Sequence, residues 1–335
     1  MKKLQKTKMM VEAKAFGKLH SPFIETLILL AIFYASNFAQ SFFLMPLMQM
    51  HLYSDEEMLK LFSNPQELPD FKVLSERLFS MLLNMPEWLV IANLFLSVCT
   101  VIAVIIYCKA IEKRPLSSIG IRKSGSVGDY LMAFAFGVVM MVAAVIMPVI
   151  ANTVIFEKTF NITAPFLTLY LIGYMIQGFA EELLIRGYFL SALSKTTTPT
   201  YALICSTLFF TVLHSSYAGS SVLCFINVFM FGLICGLLVI KRGNIWSAAA
   251  LHAAWNFVQV IVFGASAEGI SKTSSVFNVV SLDGFDKLNG GAFGLEGGLW
   301  VTLVLFLALG AVISLKQNKK EIAVEENNEK QTEQI

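Results

Sequence analysis

The sequence predicts an all-α, polytopic integral membrane protein, as shown by its hydropathy, its low charge and its long apolar runs. Of the 335 residues, 56% are hydrophobic and 14% are charged, and the mean hydropathy is +0.68. A soluble domain of this length carries a larger charged fraction. About eight runs approach the roughly 20 apolar residues that a helix needs to cross a bilayer. We therefore expect about eight transmembrane helices, with the lipid bilayer as their solvent.

Short polar segments separate the predicted spans. The lysine-rich start before the first span resembles a signal peptide, but its apolar stretch exceeds the usual length of about 7–15 residues, so we expect it to remain uncleaved. The spans cover approximately residues 23–46, 88–108, 129–152, 165–190, 199–217, 221–240, 245–263 and 298–315.

We divide the chain into four regions by these spans. Residues 1–114 form an N-terminal membrane region whose outer stretch, 51–84, carries a capping-box pattern from Ser54 to Glu57 and suits short interfacial helices. Residues 115–265 form the core with the polar motifs described below. Residues 266–315 hold the last span and most of a Gly-, Ser- and Asn-rich outer loop expected to be flexible, and 316–335 a charged cytoplasmic tail expected to be disordered.

Charge placement predicts orientation and excludes one class of partner. With the N-terminus inside, 18 Lys and Arg residues fall in cytoplasmic segments and 6 in outer segments, which predicts two cytoplasmic termini. We expect the plasma membrane of a bacterium. The net charge of +2 is too small, and the basic residues too dispersed, for a nucleic-acid partner. Five cysteines without a C-x-x-C pair are interpreted as packing residues: Cys99, Cys108, Cys205, Cys224 and Cys235.

Two adjacent glutamates lie in the middle of the fourth apolar run. Glu182 and Arg186 are four residues apart, so they share a helix face and are expected to form a buried ion pair that supports the site. Glu181 points to another side and keeps no local partner. Because ionisable groups within a span usually serve function, Glu181 is the candidate general base.

Three further polar residues recur in later spans. His252 and Asn256 are four residues apart, and Phe210 can pack beside His214 by the same spacing. Each residue alone could be a packing residue or a contact between helices. Their joint occurrence with Glu181 predicts an intramembrane polar cavity that holds one carboxylate, two imidazoles and one carboxamide.

These residues resemble the motifs of the CPBP intramembrane peptidases, a family that includes the CAAX prenyl endopeptidases and the bacterial Abi proteins linked to bacteriocin immunity. The resemblance covers roughly residues 115–265 and implies an endopeptidase that cleaves a peptide or a membrane protein. It also implies that Glu181 activates a water with help from His214, while His252 and Asn256 stabilise the oxyanion. The family's E-E-x-x-x-R, F-x-x-x-H and H-x-x-x-N motifs match Glu181, Glu182 and Arg186, then Phe210 and His214, then His252 and Asn256.

Alternatives remain open for the metal and for the function. Glu181, His214 and His252 could supply the three ligands of a catalytic zinc, but the chain has no H-E-x-x-H pair and Asn256 is a poor zinc ligand, so we favour a metal-free mechanism. The same polar groups could form the relay of a proton-coupled transporter, although no inverted repeat is evident. A non-catalytic bacteriocin-immunity or scaffold protein is the third possibility.

Overall fold

The computed structural model describes residues 4–61, 71–83, 85–123, 126–214, 221–265 and 274–322. Over these residues the fold consists mainly of helices, with one small sheet. The helices are α1 Lys8–Phe16, α2 Pro22–Tyr53, α3 Glu56–Leu61, α4 Phe71–Leu83, α5 Glu87–Leu96, α6 Val98–Ile106, α7 Ser126–Ile150, α8 Ala164–Glu182, α9 Leu190–Leu193, α10 Pro199–His214, α11 Val222–Arg242, α12 Trp246–Phe257, α13 Asp286–Asn289 and α14 Leu299–Ser314. The strands are β1 Val154–Lys158 and β2 Phe277–Ser281.

The predicted spans correspond to helices throughout the described residues. Among the described residues, four helical stretches are both long and apolar enough to cross a membrane: Pro22–Tyr53, Glu87–Ile111, Val127–Ile150 and Val222–Arg242. Helices α10 and α14 are apolar but shorter. The apolar helices identify an integral membrane protein, whereas the total of eight spans and the predicted orientation stay predictions.

Helix α12 lies at the centre of the bundle and packs against α7, α8 and α11. Small residues bring these helices together. A Cβ added at Gly137 of α7 would lie 2.8 Å from the Leu251 carbonyl oxygen, and one at Gly178 of α8 would lie 2.9 Å from the Ala253 nitrogen. Because both contacts involve the backbone of α12, these glycines fix how closely its neighbours approach.

The prediction of a flexible outer loop is wrong for the described part of that loop. β2 pairs antiparallel with β1, with Val154 opposite Ser281, and the side chain of buried Asn289 donates to the Thr153 and Leu282 carbonyls. The backbone hydrogen bonds of this loop are therefore made within the protein. Residues 266–273 lie outside the described part.

The interfacial stretch contains two helices, α3 and α4, as its sequence suggests. Their cap differs from the predicted capping box, because the Ser54 hydroxyl donates to the His51 carbonyl while the Asp55 carboxylate accepts the Met58 N–H at 2.7 Å. That hydrogen bond, together with the ion pair to Arg77, lowers the pKa of Asp55. The side chain of Glu57 lies outside the described part.

The start of the tail is ordered, contrary to the prediction. The Lys8 N–H donates to the Glu321 carbonyl at 2.9 Å, Thr7 pairs with Ile322, and the Asn318 N–H donates to the Lys241 carbonyl at 2.8 Å. These backbone contacts hold the first tail residues against α1 and the end of α11. The two described ends of the chain consequently lie side by side, and residues 323–335 are outside the described part.

Candidate active site

The first motif lies where α8 runs directly into a π turn, Leu183–Phe189, a local helix widening that is frequent at functional sites. Arg186 Nη1 donates to Glu182 Oε1 at 2.8 Å, and both side chains are fully buried. Arg186 Nη2 donates to the Gly232 carbonyl at 3.1 Å, and its guanidinium carbon lies 4.3 Å from the centroid of the Phe210 ring. The ion pair expected from the spacing is therefore present, with α10 and α11 packed around it.

The imidazole ring of His252 is held by the same ion pair. His252 is buried, and its Nδ1 lies 3.0 Å from Glu182 Oε1. Since Glu182 accepts from Arg186 on the same oxygen, it links α12 to α8 through one carboxylate. This contact orients the His252 ring so that Nε2 lies 3.7 Å from Glu181 Oε2.

Glu181 differs from Glu182 in exposure and in partners. Its side chain is 31% exposed, and Oε2 lies 3.6 Å from His214 Nε2 in addition to the His252 contact. Its other oxygen, Oε1, accepts a hydrogen bond from Gln177 Nε2 at 2.8 Å. One carboxylate oxygen is thus fixed by an amide, and the other faces two imidazoles.

The imidazole ring of His214 is positioned by a residue of its own helix, α10. His214 Nδ1 lies 2.9 Å from the Phe210 carbonyl oxygen, and the two rings lie 4.1 Å apart between centroids. When Nδ1 donates to that carbonyl, Nε2 is left directed toward Glu181. The predicted packing of Phe210 beside His214 is confirmed.

The carboxamide of Asn256 contacts the site through a residue that sequence reasoning missed. Asn256 Nδ2 donates to Gln177 Oε1 at 3.2 Å, so Gln177 bridges Asn256 and Glu181. Gln177 precedes Glu181 by four residues, and the spacing that pairs Glu182 with Arg186 could have identified it. The four residues predicted to be catalytic are therefore brought together, with Gln177 among them.

Glu296 is a second residue that was missed. Its Oε1 accepts a hydrogen bond from Trp255 Nε1 at 2.7 Å, and its carboxylate interacts electrostatically with His214 and His252. It lies in a glycine-rich turn, Leu295–Gly297, immediately before α14. Nothing in its local sequence links this residue to the motifs of the core, so no sequence signal could have found it.

The ligand atoms of the metal alternative are spread more widely than those of another group in the protein. In the described part of the chain, the three side chains whose ligand atoms lie within 4.8 Å of one another are His20, Glu25 and Glu112. The predicted zinc ligands Glu181, His214 and His252 do not form such a group. The contact of His252 Nδ1 with Glu182 leaves Nε2 facing Glu181 and is compatible with either mechanism, so the metal-free mechanism stays a prediction.

The central part of the chain is similar to a known protein family. Residues 163–258 match the family described as "Type II CAAX prenyl endopeptidase Rce1-like". The matched segment contains all seven motif residues, from Glu181 to Asn256, and the predicted family resemblance is confirmed. None of the curated proteins matches the chain.

Proposed function

We propose that this chain, a membrane peptidase of the CAAX and Rce1-like family by its match over residues 163–258, is an intramembrane endopeptidase that uses Glu181 as its general base. The observation that carries the proposal is the environment of Glu181 Oε2, which lies 3.6 and 3.7 Å from two imidazole nitrogens on a side chain that is 31% exposed. A base must be held in place and still be reached by water. Glu181 is held by Gln177 and its side chain is partly exposed although Oε2 itself is buried, whereas Glu182 is fully buried against Arg186.

In the proposed reaction a water oxygen attacks the scissile carbonyl carbon while Glu181 accepts the proton from that water. His214 assists by orienting the water through Nε2. When the tetrahedral intermediate collapses, the C–N bond breaks and Glu181 returns the proton to the leaving amine. The substrate is a peptide or a segment of a membrane protein.

His252 and Asn256 are proposed to stabilise the oxyanion of that intermediate. His252 is held by Glu182 through Nδ1, which leaves Nε2 to donate to the oxyanion. Asn256 uses one amide hydrogen for Gln177 and has a second available. Glu182, Arg186 and Phe210 act through these residues, because they fix the rings of His252 and His214 by the contacts described above.

Comparative peptidomics tests this function. Membranes of cells that express the wild type, Glu181→Gln or the control Glu157→Gln are compared, since Glu157 is an exposed carboxylate on β1. We expect peptides that appear with the wild type and the control and are absent with Glu181→Gln. Identical peptide sets from all three would overturn the proposal.

A chelator arm tests the metal alternative on the purified protein. We expect the cleavage found by peptidomics to survive prolonged treatment with a strong zinc chelator. Loss of cleavage, with recovery on added Zn²⁺, would instead assign Glu181, His214 and His252 to a metal. The peptidase family match favours hydrolysis over the proton-coupled transporter and over the non-catalytic immunity or scaffold protein.

A further inference from the structure

The turn that carries Glu296 is fixed to the bundle and lies outside the segment matched by the family. Buried Asn227 of α11 donates from Nδ2 to the Glu296 carbonyl at 2.7 Å and to the Gly298 carbonyl at 3.1 Å. The Thr302 hydroxyl donates to Asn227 Oδ1 at 2.8 Å, which joins α14 to this anchor. The backbone of Glu296 is therefore held on both sides, and its side chain has a defined direction.

That direction is toward the active site. The Glu296 carboxylate is hydrogen-bonded to Trp255 and to the side chain of Gln259. Trp255 follows His252 by three positions and shares its face of α12, and Gln259 lies in the π turn Val258–Val262 that continues this helix. The Phe231 ring lies 5.3 Å from both the His252 and Trp255 rings and fills the space beside them. Glu296 consequently extends the polar face of the site by one to two helical turns.

Glu296 differs from the buried carboxylates in the partners that balance its charge. Arg186 contacts Glu182, and Lys195 contacts both Glu25 and Glu112. The neutral side chains of Trp255 and Gln259 form hydrogen bonds with the Glu296 carboxylate, and no lysine or arginine of the described residues forms an ion pair with it. An anion without a permanent cation is costly to place inside a protein.

From this arrangement we infer that Glu296 forms an acidic subsite, which binds a lysine or arginine side chain of the substrate near the scissile bond. The inference rests on the proposed peptidase function. A substrate cation supplies the charge that the protein withholds from Glu296, whose side chain is partly exposed. The chain would then select basic segments of peptides or membrane proteins.

A binding experiment tests the subsite without turnover. The purified full chain carrying Glu181→Gln is compared with the double variant Glu181→Gln/Glu296→Gln and with a control that adds Glu157→Gln. The probes are fluorescent ten-residue peptides in matched pairs that differ by lysine or acetyl-lysine at one position. Glutamine keeps a side-chain oxygen for Trp255, and thermal unfolding confirms that each variant is folded.

We expect the lysine peptide of the best pair to bind at least about tenfold more tightly than its acetylated form, and Glu296→Gln to bring that ratio close to one. The Glu157→Gln control should keep the ratio. Equal binding of every pair by protein with intact Glu296, or a ratio unaffected by Glu296→Gln, would overturn the subsite. A shift of the pH profile of cleavage by Glu296→Gln with an unchanged ratio would overturn it in favour of a proton-transfer role.

The two proposals fail separately. Glu181-dependent cleavage without any lysine preference would leave the peptidase and remove the subsite. A Glu296-dependent lysine preference without cleavage would leave the binding site and remove the peptidase, because the binding assay uses the Glu181→Gln background throughout.

Discussion

Two groups of charged side chains lie inside this helical bundle, and they differ in how their charges are balanced. The N-terminal ion cluster consists of Glu25, Glu112, Arg114 and Lys195, all with fully buried side chains. Lys195 Nζ lies 2.7 Å from Glu25 and 2.8 Å from Glu112, and Arg114 Nε lies 3.1 Å from Glu112. Two permanent cations thus neutralise two carboxylates.

The active site uses the same carboxylate chemistry without permanent cations on its working residues. Glu181 faces two imidazoles at 3.6 and 3.7 Å, longer than the contacts of the ion cluster, and it keeps part of its surface exposed. Glu182 adjoins Glu181 in sequence, but it is neutralised by Arg186 and in this respect resembles the carboxylates of the ion cluster. The role proposed for Glu181 therefore rests on its exposure and its titratable partners rather than on the presence of a buried glutamate.

The ion cluster also shows why closeness alone does not define a metal site. His20, Glu25 and Glu112 are near enough to share an ion. The ammonium of Lys195, however, contacts both of these carboxylates and also donates to the Lys18 carbonyl at 2.8 Å. The chain supplies its own cation at the point that a metal would occupy.

The largest expected effect concerns activity at the site. Glu181→Gln removes the base while preserving shape and the hydrogen bond from Gln177, so we expect the specific cleavage activity to fall by at least about 10³-fold. The unfolding temperature should stay within about 2 °C of the wild type, because the side chain is partly exposed. Initial rates on a peptide identified by peptidomics, with thermal unfolding in parallel, provide both readouts. Substantial remaining cleavage by Glu181→Gln would break the comparison.

The opposite effect is expected in the ion cluster. Glu112→Gln leaves the cation of Arg114 buried without its carboxylate, and the loss of one member of a buried ion pair costs about 3–5 kcal/mol of folding free energy. We expect a large drop in unfolding temperature, with the specific activity of the remaining folded protein within about twofold of the wild type. An unfolding temperature equal to that of the wild type would show that water solvates the cluster. Burial would then not be the difference between the ion cluster and the active site.

Local spacing predicted much of the fold and part of the site. Apolar runs located the helices because a span needs a fixed number of apolar residues, and four-residue spacings gave the Glu182–Arg186 and Phe210–His214 contacts. These features depend on a single helix. The nearness of Glu181 to His214 and His252 depends on three helices, and the sequence indicated it only through the joint occurrence of these polar residues in the spans and through the resemblance to a family.

Contacts between distant segments were mispredicted or missed. Arg114 and Lys195 were counted among the charges of the cytoplasmic segments, and their burial was not predicted. Arg114 contacts Glu112 and the hydroxyl of Ser191, which is 77 residues away, and Lys195 contacts Glu25 and Glu112, the latter 83 residues away. Likewise β2 was taken for part of a flexible loop, and Glu296 lies in a glycine-rich turn. Contacts between residues far apart in sequence produce no periodic pattern along the chain, so the sequence alone does not indicate them.

A glycine substitution sharpens the comparison by moving a helix without changing any charge. A Cβ at Gly178 would lie 2.9 Å from the Ala253 nitrogen, so Gly178→Ala must separate α8 from α12 next to Glu181 and His252. A displacement of about 1 Å at a catalytic group can lower the rate by about 100-fold, and we expect a loss of that size. Gly310→Ala on α14 is the matched control, because no atom lies within 4 Å of its added Cβ, and it should keep full activity. Equal activities of the two variants would show that the helix spacing is not critical.

The smallest expected effect distinguishes positioning from structure. Gln177→Ala removes the hydrogen bond to Glu181 Oε1 and frees Asn256, and we expect kcat to fall about tenfold with KM nearly unchanged, since one hydrogen bond contributes about 0.5–1.5 kcal/mol. Gln40→Ala is the matched control. Gln40 lies outside the site and makes a similar hydrogen bond, from its Nε2 to Asn93 Oδ1 at 2.8 Å. Both variants should lose similar stability, and only the first should lose kcat. If Gln177→Ala and Gln40→Ala lower kcat alike, Gln177 has a purely structural role, and the orientation of Glu181 comes from the two imidazoles alone.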